Sequence, residues 1–230
     1  MSFVIDPPPQ ASVAVAGGGR FPVRRIFCIG RNYADHIKEM GGDPRDAPPV
    51  FFTKPADAVV ESGAAIPYPL ATENLHYEGE LVAALGSGGA GIAAKEALAH
   101  VFGYAAGCDL TRRDRQAGAK KAGGPWDASK AFDYSAPLGA IMRAGKAAGL
   151  DAARLALSVN GETRQDAPLS SMVWTVPEII AALSEQFELK AGDLIFTGTP
   201  DGVGPLAVGD KVEISIGALP VLSFEISEKE

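Results

Sequence analysis

Three acidic side chains in this chain stand where their chemistry needs a reason. The run His76-Tyr77-Glu78-Gly79-Glu80 leads into apolar Leu81-Val82 and reads as an extended strand. Alternate side chains of a strand share a face, so His76, Glu78 and Glu80 point the same way. Two carboxylates about 7 Å apart along a strand repel each other unless something positive sits between them. A divalent cation does this, and all-oxygen ligation favours Mg2+, Mn2+ or Ca2+ over Zn2+. Asp109 ends a second apolar run, FGYAAGCD, where a lone buried charge is costly, which makes it the natural third ligand. Spacing alone also allows Glu78 and Glu80 to line the solvated face of an edge strand.

The same stretch carries a competing pattern. Gly86, Gly88 and Gly91 spell GxGxxG between a strand and a helix, and Asp109 closes the next strand. Those are elements of a dinucleotide-binding fingerprint, in which glycines admit a pyrophosphate to a helix N-terminus and the acid takes a ribose hydroxyl. A glycine-rich turn explains the residues equally well. No further strand and helix alternation follows to complete such a sheet.

The elements that must position these residues are mostly strands. Arg24 to Ile29 reads as a strand, Asn32 to Met40 as a short helical segment, and FFTKP as a further strand. Glu80 to Leu85 and Tyr104 to Leu110 read as buried strands flanking a helix over Ala93 to Val101, and Arg112 to Ala122 is helix-prone. LALSVNGETRQ is a hairpin around Asn160-Gly161. Thr175 and Glu178 form a capping box with Pro177 in the first turn, opening an amphipathic helix to about Phe187. LKAGDLIF and LAVGDKVEI each place a Gly-Asp turn before a strand. This is a mixed, β-rich α+β pattern and not a βαβ alternation.

Composition narrows the class. The 230 residues carry 21 basic and 28 acidic side chains, a net charge of −7, which argues against a nucleic-acid or anionic-membrane partner. With 47% apolar residues the chain suffices for one sizeable core. Its uncharged central stretch, Leu81 to Ala94, falls short of the roughly 20 apolar residues of a membrane span. MSFVIDPPPQ has no cationic and apolar leader pattern, and Cys28 and Cys108, each in an apolar run, read as buried free thiols. A cytoplasmic location is expected.

The ordered motifs IGRNYADHIKEMG (29 to 41), FFTKP (51 to 55), HYEGELV (76 to 82), GYAAGCDLTRRDRQ (103 to 116), GPWDASKAFD (124 to 133), VNGETRQ (159 to 165) and FTGTPDGVG (196 to 204) resemble the fumarylacetoacetate hydrolase family. The likeness runs from about Phe21 to the C-terminus and is greatest to the family's fumarylpyruvate hydrolase and acylpyruvase branch. It implies a mixed β-sandwich roll of the family's C-terminal-domain type, with residues 1–22 as an N-terminal arm and 23–230 as one catalytic domain. A homodimer is implied too, with Mg2+ or Mn2+ held by Glu78, Glu80 and Asp109.

By the same resemblance His36 and Glu39 form the catalytic pair of a lid over about 31–41; at i and i+3 of a helical turn Glu39 can orient the imidazole as a base. Lys130 matches the family lysine near the metal, Arg113 and Gln116 match polar groups facing substrate, and Thr199 matches a ligand of the substrate carboxylate. Arg24, Arg25 and Arg31 flank the strand entering the lid and are candidates for a distal carboxylate, with Arg31 the favoured one. Cys108 departs from the family, where many relatives have Asn before the metal-binding Asp. The implied reaction is hydrolytic C–C cleavage of a 2,4-diketo acid, fumarylpyruvate foremost. The alternatives are oxaloacetate decarboxylation or a related isomerisation and, remotely, a dinucleotide-dependent oxidoreductase.

Overall fold

The computed structural model describes residues 3–33, 45 and 48–229. Its centre is an eight-stranded mixed sheet. Val50–Lys54, Arg25–Gly30, Asp193–Phe196, Gly79–Leu85, Val101–Cys108, Ala136–Leu138 and Val59–Glu61 lie side by side in that order, and Met142–Arg143 adds to Val101–Cys108. Both faces of the inner strands Arg25–Gly30, Asp193–Phe196 and Gly79–Leu85 are covered, which is why these read as apolar runs. Phe27, Ile29, Leu81, Ala83 and Ile195 enter one core, while their neighbours Ile26, Cys28, Val82, Ala84 and Leu194 enter the other.

A five-stranded sheet, in the order Glu162–Pro168, Arg154–Val159, Lys211–Ile216, Leu222–Ser227 and Ala64–Pro67, contributes to the first core. Its alternation is clean: Val212, Ile214 and Ile216 are buried while Lys211, Glu213 and Ser215 are exposed. The second core is closed by a hairpin of Ser12–Ala14 and Arg20–Pro22, which buries Val13, Val15 and Phe21. The segment expected to be an arm therefore carries part of a core. A three-stranded sheet of Thr111–Arg112, Leu75–Tyr77 and Gly204–Leu206 lies beside the acidic residues. The expected β-rich sandwich roll is the fold observed.

Local expectations fare unequally. The hairpin turn has Asn160 at φ 53° and Gly161 at φ 79°, the double positive φ of a tight two-residue turn. The capping box is formed, and its helix runs Val176–Gln186. Both Gly-Asp turns close in the same way, the Asp193 and Asp210 carboxylates accepting the backbone N–H of Lys190 and Ala207 at 2.9 and 2.8 Å. Both cysteines are buried and free. The helix expected over Ala93 to Val101 is one α-turn, Ala94–Ala97, then a 3-10 turn, Leu98–His100, because the chain enters a strand at Val101.

The dinucleotide pattern fails on topology. Gly79–Leu85 and Val101–Cys108 pair antiparallel, so no parallel βαβ unit exists there. Gly88 has a different reason: a Cβ would collide with the Leu189 carbonyl, against which this turn is packed. Among the described residues no helix is long and apolar enough to cross a membrane.

Candidate active site

Strand register brings the acids together. Gly79 pairs with Cys108 and Glu80 with Gly107, and the Asp109 N–H donates to the Glu78 carbonyl at 2.8 Å. Glu78, Glu80 and Asp109 are all buried, and one carboxylate oxygen from each lies within 4.8 Å of the others. His76 stands apart from this group. Its Nδ1 accepts from Arg113 Nε at 3.3 Å and its Nε2 meets Asn74 Oδ1 at 2.9 Å; burial and the Arg113 charge hold it neutral, with a pKa down at about 4.

Buried cations answer the acids. Lys130 ends a short helical turn, Asp127–Lys130, and its Nζ donates to Glu78 at 2.7 Å, Asp109 at 2.5 Å and Thr111 Oγ1 at 2.6 Å. Arg113, first in the helix Arg113–Ala122, places Nη2 2.5 Å from Glu78 and Nη1 2.6 Å from Gln116 Oε1. Lys54, which sequence reasoning missed, is fully buried with Nζ 2.8 Å from Asp109 Oδ1. It donates to the Leu110 carbonyl at 3.1 Å and to that of Lys130.

The electrostatics separate the three acids. Burial alone would raise the Glu78 carboxyl, but Lys130 and Arg113 outweigh it and bring its pKa down to about 2. Among the described residues Glu80 has no such ion-pair partner. Burial, Asp109 and Glu78 push its pKa well above the carboxylate range, against a 2.7 Å hydrogen bond from the Gly198 N–H. Among the described residues Asp109 Oδ1 accepts no hydrogen bond, the Lys54 ammonium approaching outside hydrogen-bonding directions. A proton-holding Glu80 and an open oxygen on Asp109 are what a hard divalent cation would relieve, so the residues fit Mg2+ or Mn2+.

The acids open onto a cavity of about 520 Å³ whose walls include Arg31, Tyr33, Phe52, Gln116, Lys120, Trp126, Lys130 and Thr199. Gln116 spends its oxygen on Arg113, and its amide hydrogens have no partner among the described residues. Thr199 Oγ1 accepts from Gln165 Nε2 at 2.8 Å, which leaves its own hydrogen for another partner. Gln165 also takes the Gly79 N–H at 2.9 Å and so ties the Thr199 turn to the acid-bearing strand. Gly198 must be glycine: its φ is 95° and a Cβ would lie 2.8 Å from Asn32 Cβ.

Every cavity residue expected from the sequence among Arg31, Glu78, Glu80, Asp109, Arg113, Gln116, Lys130 and Thr199 lies in or directly against this site. His36 and Glu39 lie outside the described residues. Arg24 and Arg25 are committed elsewhere, to the buried Asp193 at 3.0 and 2.8 Å. Lys120 was missed; it faces the cavity with Nζ 5.2 Å from the Trp126 ring centroid, and neither it nor Arg31 has an ion-pair partner among the described residues. Its signal was present in Lys120-Lys121, but a pair of lysines late in a helix reads as a solvated face.

Residues 25–227 match the fumarylacetoacetate (FAA) hydrolase C-terminal family. The crystal structure of fumarylpyruvate hydrolase from Pseudomonas aeruginosa, in complex with Mn2+ and pyruvate, is 45% identical with a TM-score of 0.94, covering 99% of this chain and 100% of that one. The mitochondrial oxaloacetate tautomerase FAHD1 of Mus musculus is 42% identical over 207 residues, 90% of this chain and 93% of its own. The oxaloacetate tautomerase YcgM of Escherichia coli is 40% identical over 196 residues, 85% and 89% of the two chains. A match that takes in the eight-, five- and three-stranded sheets and every wall of the cavity leaves one assignment: the chain belongs to the fumarylacetoacetate hydrolase family.

Proposed function

We infer that this cavity hydrolyses an acylpyruvate, with fumarylpyruvate as substrate and fumarate and pyruvate as products. The observation that carries the reading is the buried Glu78, Glu80 and Asp109 triad opening onto a cavity lined by donors. A relative of the same fold that holds Mn2+ and pyruvate supports it.

Glu78, Glu80 and Asp109 would hold a divalent cation, which when bound supplies a Lewis acid for a 2-keto oxygen. Thr199 and Gln116 offer hydrogen-bond donors to the carboxylate end of the substrate. Lys130 stays charged, because Asp109 and Glu78 outweigh the burial that would discharge it, and it faces the side where negative charge develops. His36, oriented by Glu39, is the proposed base that takes a proton from water. The water oxygen adds to carbon 4, the bond between carbons 3 and 4 breaks, and its electron pair leaves with the pyruvate fragment, which is then protonated. Arg31 and Lys120 supply positive charge for the distal carboxylate. The reading carries with it a homodimer and a cytoplasmic location, measured by light scattering and cell fractionation.

The tautomerase relatives favour a second reading, in which a proton moves between carbon 3 and the 2-oxygen of oxaloacetate and no water attacks. A panel of fumarylpyruvate, acetylpyruvate and oxaloacetate with added Mn2+ separates the two. We expect fumarylpyruvate to give the highest kcat/KM. Rapid oxaloacetate enol–keto conversion with no diketo-acid hydrolysis would install the second reading instead.

A further inference from the structure

Tyr33 lines the cavity together with Glu78, Glu80 and Lys130, and it is 4% exposed. Its hydroxyl oxygen is buried and has no hydrogen-bond partner among the described residues. The backbone beneath it is pinned. Tyr33 bridges to Met172, and the buried Asn32 amide donates to the Trp174 and Thr197 carbonyls at 3.0 and 2.7 Å and accepts the Trp174 N–H at 2.7 Å. The backbone that carries the ring is thus held in place, and among the described residues its one polar atom is unsatisfied.

A buried hydroxyl without a partner is disfavoured, and native proteins keep few of them. The residue that carries this one lines the cavity. Burial holds the phenol above its ordinary pKa, so it keeps its hydrogen and acts as a donor. The acids of the site need no further oxygen near them, whereas a 2-keto acid brings oxygens that need donors. We propose that the Tyr33 hydroxyl donates a hydrogen bond to an oxygen of the bound 2-keto acid, which makes Tyr33 a substrate-binding residue of this cavity. This rests on the reading of the cavity as a 2-keto-acid site.

The test is Tyr33→Phe, which removes the hydroxyl and keeps the ring, with pyruvate as the probe on Mn2+-loaded protein in calorimetry. Pyruvate affinity should fall about 10- to 100-fold, the range of a hydrogen bond to a charged acceptor, while Mn2+ affinity stays within about twofold. Without pyruvate the variant should melt at the wild-type temperature or above it, because nothing in the free protein loses a partner. A hydroxyl that served the fold would lower that melting temperature or prevent folding, and either result overturns the proposal. Unchanged pyruvate affinity, or an equal loss of Mn2+ affinity, also overturns it. A wild type that binds no pyruvate overturns the reading of the cavity and this inference with it.

Discussion

The backbone N–H of Asp109 donates to the carbonyl of Glu78 at 2.8 Å, so two residues distant in sequence deliver carboxylates to one buried point. Lys130 then occupies the space between those carboxylates, 2.7 Å from Glu78 and 2.5 Å from Asp109. Among the described residues Glu80 is left without a cation of its own.

Glu80→Gln should abolish tight Mn2+ binding, by at least about 100-fold on removal of one of three charged ligands, read by calorimetry. Metal-free stability near neutral pH should change by less than about 0.5 kcal/mol, since Glu80 is already held toward its neutral form and a glutamine oxygen can accept the Gly198 N–H. Wild-type Mn2+ affinity in the variant would remove Glu80 from the site.

Metal affinity should rise with pH. The folded, metal-free protein holds the Glu80 proton more tightly than the unfolded chain does, so this group's contribution to metal-free stability is lost as pH rises from about 4.3 through its raised folded value. A cation must displace that proton. Thermal shifts induced by Mn2+ should therefore be smallest near the acid end of that window and grow upward through it. Glu78, held at about 2, adds no slope there. A shift that does not vary with pH would show that Glu80 binds the ion already ionised.

Lys130→Met should cost the metal-free protein about 3 kcal/mol, the lower part of the range for breaking a buried pair, because Lys54 and Arg113 still serve Asp109 and Glu78. Denaturant unfolding measures this. Mn2+ should restore part of the loss in stability and none of the activity. A variant as stable as wild type without metal would mean that the two acids are not ionised together.

How far all this was legible depends on the residue. Glu78 and Glu80 are legible as two carboxylates on one strand face and Asp109 as a charge ending an apolar run, and the Thr175 and Asn160-Gly161 signals are local and readable at once. Lys54 and Gln165 were not readable as site residues. Each is an ordinary polar residue at a strand, and its role arises from sheet order: Lys54 reaches Asp109, and Gln165 reaches both Gly79 and Thr199, across chain segments that spacing does not relate. The N-terminal hairpin was hidden for a similar reason, since Val13 and Phe21 find their core only when the central sheet exists.

Removing the rim cations should change selectivity before it changes chemistry. Lys120→Met and Arg31→Met should each raise KM for fumarylpyruvate by up to about fivefold, the upper range for a solvent-screened charge pair. KM for acetylpyruvate, which lacks the distal carboxylate, should stay within about twofold. Equal effects on both substrates would deny these residues a role in reading the far end.

The most direct measurement is oxygen-isotope incorporation during turnover of fumarylpyruvate by the Mn2+-loaded protein in H2(18)O, with products resolved by mass spectrometry. Hydrolysis at carbon 4 predicts one solvent oxygen in the new carboxylate of fumarate, pyruvate released in equal amount, and loss of both products in Glu80→Gln. Intact substrate recovered after exchange of protons only, with no fumarate formed, would contradict the account.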